Sequence, residues 1–180
     1  MDRAAPGAAP PSMPLGFEAL YRDHFDFTYR TLQHLGVPAA SLPDAVQEVW
    51  LAVHQQLNRF EGRSTYRTWL FAIALNTARN HWRWQRRHGG TTDLSDDLVD
   101  AAAGPEQQHA GREALGLVGQ FLNTLDEPRR VLFVSQLLEE LNADETAQLL
   151  GIERQQVYHR VRDLRRSFKR WLAAREAAAQ

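Results

Sequence analysis

Residues 44–87 of this 180-residue chain run from Asp44 to Arg87 as DAVQEVWLAVHQQLNRFEGRSTYRTWLFAIALNTARNHWRWQRR. The opening third has helical spacing. Val46, Val49, Trp50, Val53 and Leu57 recur at intervals of three and four and therefore share one face. Asp44, Gln47 and Glu48 fall off that face and give the first turns an acidic, solvent-facing side. The pattern breaks at Arg59-Phe60-Glu61-Gly62-Arg63-Ser64, where Gly62 can take a positive φ and Ser64 or Thr65 can cap a new helix. A second helix is expected from about Thr65 to Arg87, with Tyr66, Trp69, Leu70, Ile73 and Thr77 as its buried stripe. Asn76, Arg79, Asn80, Arg83, Arg86 and Arg87 make another stripe, polar at first and basic towards the end.

Charge narrows what that second stripe can touch. Between residues 58 and 90 seven Arg stand against one acid, Glu61. A solvated helix normally mixes signs, whereas this one interleaves a single sign with His81, Trp82, Trp84 and two Asn. Cations neutralise phosphates, aromatic faces stack on unpaired bases, and Asn can hydrogen-bond a base edge. The competing reading is an Arg-rich helix end that complements its own dipole, with the Trp residues in the core. The rest of the chain is patterned too: one Arg against eight acids at 91–127, then ten basic residues at 128–180. The formal net charge of −1 averages this away.

Four short motifs in fixed order carry a resemblance: Asp44-Ala-Val-Gln47-Glu48-Val-Trp50, Leu57-Asn-Arg-Phe60-Glu-Gly62, Thr68-Trp69-Leu70 and Ile73-Ala-Leu-Asn76-Thr-Ala. Together they resemble the extracytoplasmic-function (group 4) sigma factors of the sigma-70 family. The resemblance implies an all-α protein of two helical domains, a sigma region 2-like domain at 15–88 and a region 4-like helix-turn-helix domain at 112–176. It also implies that Asp44, Gln47, Glu48 and Trp50 dock on RNA polymerase core, through its clamp helices. Phe60, Ser64, Phe71, Ile73 and Asn76 would line or support the pocket for an extruded −10 base. Arg79, Asn80, Arg83, Arg86 and Arg87 would then hold the DNA backbone.

Outside that stretch, residues 1–14 are Pro- and Ala-rich and are expected to form a disordered tail. Phe17 to Leu35 is helical by spacing, with its Phe and Tyr residues expected in the core, and Gly36-Val37-Pro38 ends it. Residues 89–111 read as an acidic, flexible linker, broken by Gly89-Gly90 and by Gly104-Pro105. From Glu113 four helical patterns follow. Pro128 stands near the start of the second, Asn142 with Glu145 makes a capping-box-like start for the third, and Gly151-Ile152 turns into the fourth.

The last two patterns read as a helix-turn-helix, with Ala147, Gly151, Ile152 and Val157 at the expected spacing. From Arg154 to Arg175 the final helix carries eight basic residues. Arg154, Gln155, Gln156, Tyr158, His159 and Arg162 would face a major groove, and Arg165, Arg166, Lys169 and Arg170 suit phosphates. This module resembles the family's −35 reader, which implies a further contact with the polymerase flap. Where the family often has Thr-Val-Arg-Ser-Arg, this chain has Gln156-Val157-Tyr158-His159-Arg160. A promoter inferred from relatives therefore does not transfer.

Other chemistries find no support. The chain has no cysteine, so disulfides, thiolate nucleophiles and Cys-ligated zinc are excluded. Its seven His are scattered without metal-ligand spacing, and no Gly-rich phosphate loop occurs. No cofactor, metal or catalytic residue is expected, and the chain reads as a non-enzyme. The absence of a signal-peptide core and of any eighteen-residue apolar run predicts a cytoplasmic protein without membrane insertion. Expected partners are polymerase core, promoter DNA and, from the resemblance, an anti-sigma factor. A conventional helix-turn-helix regulator or a helical adaptor are the alternatives. Neither accounts for the Arg stripe at 79–87.

Overall fold

The computed structural model describes residues 16–88 and 116–178, and every regular element among them is helical. Helices α1 (Phe17–His34), α2 (Leu42–Gln56) and α3 (Tyr66–His88) pack on one another pairwise as a first module. A second module holds α4 (116–123), α5 (Glu127–Phe133), α6 (Ala143–Leu150) and α7 (Arg154–Ala178). The expected tail at 1–14 and the whole linker at 89–111 lie outside the described residues.

In the first module, Val46, Val49, Trp50 and Val53 of α2 and Leu57 just beyond its end are all buried, as their spacing predicts. They meet Leu20, Phe27 and Leu32 of α1 and a face of α3 that the sequence misplaces by part of a turn. The buried side of α3 is Leu70, Phe71, Ala74, Leu75, Ala78 and Trp82, whereas Tyr66, Trp69 and Ile73 are only half-buried. The small Ala74 and Ala78 let the neighbouring helices approach closely, and Phe71 fills the centre. Bulky aromatics at the start of α3 looked like core residues but line its open side.

The second module is held by Phe121, Phe133, Phe168 and Trp171, whose ring centroids lie 5.0–5.7 Å apart where they contact Phe121 or Phe133. Asp126 caps α5 by accepting from the Arg129 N–H at 3.0 Å, with Pro128 in the first turn. Beyond Phe133 the α geometry does not continue: Val134–Leu138 widens into a π turn, followed by Glu140 at φ 49°. Asn142 then caps α6, accepting from the N–H groups of Asp144 and Glu145 at 2.8 and 3.3 Å. Gly151 ends α6 at φ 64° with no atom within 4 Å of where a Cβ would stand, so the left-handed backbone alone calls for glycine. The Ile152 N–H bonds the Ala147 carbonyl at 3.0 Å and closes the turn into α7.

Because Phe71 is fully buried among all three helices of the first module, Phe71→Ala should lower stability by about 3–5 kcal/mol. Urea denaturation followed by circular dichroism measures this. A loss below about 1 kcal/mol would show that the α3 face is wrongly placed.

Candidate nucleic-acid and partner interface

Three surfaces carry the residues singled out in the sequence. On α3 the side opposite Phe71 and Ala78 runs from Tyr66 through Trp69, Ile73, Asn76, Asn80 and Arg83 to Arg87, spaced by three and four residues. It begins with an aromatic platform. The Phe60 ring stacks on Tyr66 at 4.6 Å between centroids and leans on Trp69 at 4.9 Å. Gly62, at φ 68°, makes the turn that brings Phe60 back over α3. Ser64 sits beside it, half-buried, donating to the Thr65 carbonyl at 3.3 Å. Beyond the platform, Asn80, Arg83, Arg86 and Arg87 line one shallow hollow, and Arg83 is steered by a hydrogen bond to the Asn80 side-chain oxygen.

Not every expected residue joins this surface. Phe71 points into the core and can support a base pocket only from beneath. Arg79 lies on the flank and pairs with Glu127 of α5 at 2.8 Å. Trp82 is buried, whereas Trp84 is exposed and stacks on His88 at 4.4 Å. Tyr66 and Trp69 belong to the platform. Their aromatic character, next to a glycine turn and upstream of an Arg run, was the available signal.

The second surface is a groove of about 620 Å³ between α1 and α2, walled by Phe17, Tyr21, Phe25, Tyr29, Trp50 and Leu51. The aromatic residues of α1 are thus not simply core: Tyr21 is 41 % exposed and packs its ring 4.8 Å from that of Trp50. Leu51 beside it is 55 % exposed. Gln47 lines the same groove, and Asp44 and Glu48 are exposed on the helix that forms it. Apolar area of this kind marks an interaction surface more often than a monomer's ordinary exterior.

The third surface is the N-terminal part of α7. Arg154, Gln155, Gln156, Tyr158, His159, Arg162, Arg165 and Arg166 are all exposed, while Val157, Val161 and Leu164 anchor the opposite side. Arg154 is not free: Nε and Nη2 donate to the Tyr158 hydroxyl at 3.2 and 3.0 Å, and Nε faces Asp144 Oδ1 at 3.2 Å. The Tyr158 hydrogen bond, then the Asp144 charge, raise the Arg154 pKa. Tyr158 thereby positions an arginine one turn earlier. His159 and Arg162 are likewise neighbours at 3.3 Å.

Among the described residues no group of His, Asp or Glu could hold a metal, and no helix is long and apolar enough to cross a membrane. Residues 20–88 match the family description Sigma-70 region 2. The chain is 29 % identical over 165 residues to the RNA polymerase sigma factor NccH of Alcaligenes xylosoxydans xylosoxydans, 89 % of each chain. It is 28 % identical over 123 residues to the ECF RNA polymerase sigma-E factor of Escherichia coli K12, 63 % of this chain and 64 % of that one. Its fold resembles the sigma factor RpoE of Bartonella quintana, solved with the anti-sigma factor NepR, at a TM-score of 0.69 and 17 % identity, covering 87 % and 96 %. An all-α chain with these three surfaces thus resembles, in sequence and in fold, sigma factors of the sigma-70 family. One of these relatives carries the extracytoplasmic-function description, and sigma factors are in general not enzymes.

If Tyr158 holds Arg154, Tyr158→Phe removes the acceptor but keeps the ring. The side-chain Nε–H of Arg154 should then show a lower NMR order parameter, with helicity unchanged. An unaltered order parameter would leave Asp144 as the group that fixes it.

Proposed function

We propose that this chain is a promoter-specificity subunit: it binds bacterial RNA polymerase core and directs initiation by recognising a −35 element and melting a −10 element. The observation that carries this is the division of α3, which buries one side in its own module and turns an aromatic platform and an arginine run outward on the other. Extruding a base costs a few kcal/mol, and each base stacked on an aromatic side chain returns about 1–3 kcal/mol. Phe60 with Tyr66 and Trp69 offers the stacking surface, Ile73 and Ser64 border it, and Asn76 supplies amide donors and an acceptor. Asn80, Arg83, Arg86 and Arg87 neutralise the strand that follows, and Arg79 joins them once released from Glu127.

In this reading α7 enters the major groove at the −35 element. Gln155 and Gln156 suit adenine, and Arg154, held by Tyr158, is aimed at one base pair. His159 and Arg162 read or anchor beside it, and Arg165, Arg166, Lys169 and Arg170 meet phosphates. The clamp helices of the polymerase occupy the groove beside Gln47 and Trp50, with Asp44 and Glu48 at its edge, and the flap contacts the second module. The chain acts in the cytoplasm and without catalysis of its own, drawing on binding energy rather than nucleotide hydrolysis. Similarity to a sigma factor solved with an anti-sigma factor supports such a partner here.

Reconstitution with bacterial core enzyme tests the whole reading: the chain should co-elute with core and confer promoter-dependent transcripts. Failure of both removes it. Reversing Asp44 and Glu48 to Lys together, both exposed, should weaken core binding about tenfold or more, which is at least 1.4 kcal/mol, with the melting curve unchanged. Undiminished affinity would place docking elsewhere. Asn76→Ala should slow open-complex formation about tenfold, the worth of one well-formed hydrogen bond, while closed-complex affinity holds. Equal losses at both stages would mean that Asn76 serves folding or docking instead.

A further inference from the structure

An arginine carries its N–H donors along the edges of one plane, and the edge already engaged decides which edge can read a base. Arg154 is the first residue of α7, where a recognition helix brings side chains to base edges. Two of its donors converge on one acceptor. Nε at 3.2 Å and Nη2 at 3.0 Å both donate to the Tyr158 hydroxyl, one turn further along. The guanidinium carbon stands 5.5 Å from the Tyr158 ring centroid, so the ring supports the cation as well. The inner edge of the plane, Nε with the near N–H of Nη2, is therefore taken. The outer edge, Nη1 with the other N–H of Nη2, is left for a ligand.

Asp144 strengthens the same arrangement from a second helix. Its Oδ1 lies 3.2 Å from Arg154 Nε, and its side chain is 55 % exposed. A carboxylate on a surface that meets DNA repels phosphates, so its presence there calls for a reason. Holding Arg154 is one. Asp144 belongs to α6 and Tyr158 to α7, and the turn between those helices is closed by Gly151 and by the Ile152 N–H on the Ala147 carbonyl. The direction of the guanidinium is thus set by both helices of the helix-turn-helix. An arginine held in this way has less rotamer freedom to lose on binding than one that moves freely.

We propose that Asp144 and Tyr158 are positioning residues that present the outer edge of Arg154 to a guanine of the −35 element, and so fix guanine as the base selected at that position. This rests on the reading of α7 as the −35 helix. Two parallel N–H groups fit guanine, whose O6 and N7 both accept in the major groove. Adenine sets a donor beside N7, cytosine offers a donor, and thymine offers a single acceptor, so none of them satisfies both N–H groups. Tyr158 itself reads no base here, because its hydroxyl is turned to Arg154.

The test uses holoenzyme reconstituted from bacterial core and the full chain, selecting from a promoter library randomised across the −35 region. The parent should enrich guanine at one position about tenfold over the other bases. Arg154→Ala should lose that preference and leave the other positions as they were. Asp144→Ala and Tyr158→Phe should each lower it to about threefold, and the two together should erase it. Glu153→Ala removes an exposed acid next to Arg154 in the chain and serves as the control. Both acid removals should tighten binding to duplexes without the guanine, since each takes away one repulsion of phosphates. Only Asp144→Ala should also weaken the preference, a pairing of effects that a folding defect, followed by circular dichroism, does not produce. Replacing the selected guanine by 7-deazaguanine, which lacks N7, should weaken the parent about fivefold and leave Arg154→Ala unaffected. A preference unchanged in Arg154→Ala or in the double variant, or a base other than guanine at the Arg154-dependent position, overturns the proposal and leaves the proposed function standing. If no form selects any −35 sequence, the −35 reading of α7 fails and the proposal with it.

Discussion

One helix has to answer three neighbours with a single cylinder. Successive residues of α3 are offset by about 100°, so a 23-residue helix offers only a few continuous strips. The strip centred on Phe71 and Ala78 is taken by the core, and the strip through Trp69, Asn76 and Arg83 is left for solvent or a ligand. A flank carrying Arg79 and the N-terminal turn remains for the second module. Any residue that shifted register would exchange a buried alanine for an arginine. The geometry of α1 and α2 follows from this, since they must cover the one strip without reaching the second.

The buried apolar residues of both modules form one cluster, and the polar contacts between the modules add a different chemistry to it. Burying Phe121, Phe133 and Phe168 against one another is favourable wherever the rings fit, because the hydrophobic effect has no direction. The Glu139 carboxylate is another matter. Removed from water, it is tolerable only with Arg67, Arg30 and His34 where they stand. Contacts of this kind specify an orientation while adding little net stability. Arg130 follows the same rule: burial lowers its pKa, Glu127 works against that shift, and the guanidinium is kept by two carbonyls.

Periodicity made the helices legible in the sequence, and their faces less so. The α2 stripe was read correctly because Val and Leu have one preference only. Tyr66 and Trp69 were read as core because aromatic rings suit both a core and a half-exposed platform. The same ambiguity hid the α1 groove, where Tyr21 and Tyr29 keep one edge in water. The π turn at Val134–Leu138 has the composition of an ordinary helix and leaves no local mark. Glu145 is the instructive case. Three residues after Asn142 it has capping-box spacing, yet its oxygens go to Thr65 and Thr68, some 80 residues away. Local spacing states which bonds a residue could make; a better-charged partner across the fold decided which it makes.

That competition also bears on how the proposed function could open a duplex with binding energy. Stacking a base returns about 1–3 kcal/mol against a few for its extrusion, so no platform of three rings could hold a melted strand with much surplus. Two further sources must contribute. In the proposed function, phosphate neutralisation by the Arg83–Arg87 end of α3 would add a term that strengthens as salt falls. Anchorage by α7 elsewhere on the same duplex, as proposed, would turn the second engagement into an intramolecular one, at an effective concentration far above that of the free protein. Neither half need bind tightly alone. Weakness in each half is useful, because a subunit whose parts held DNA firmly could not leave once initiation was over.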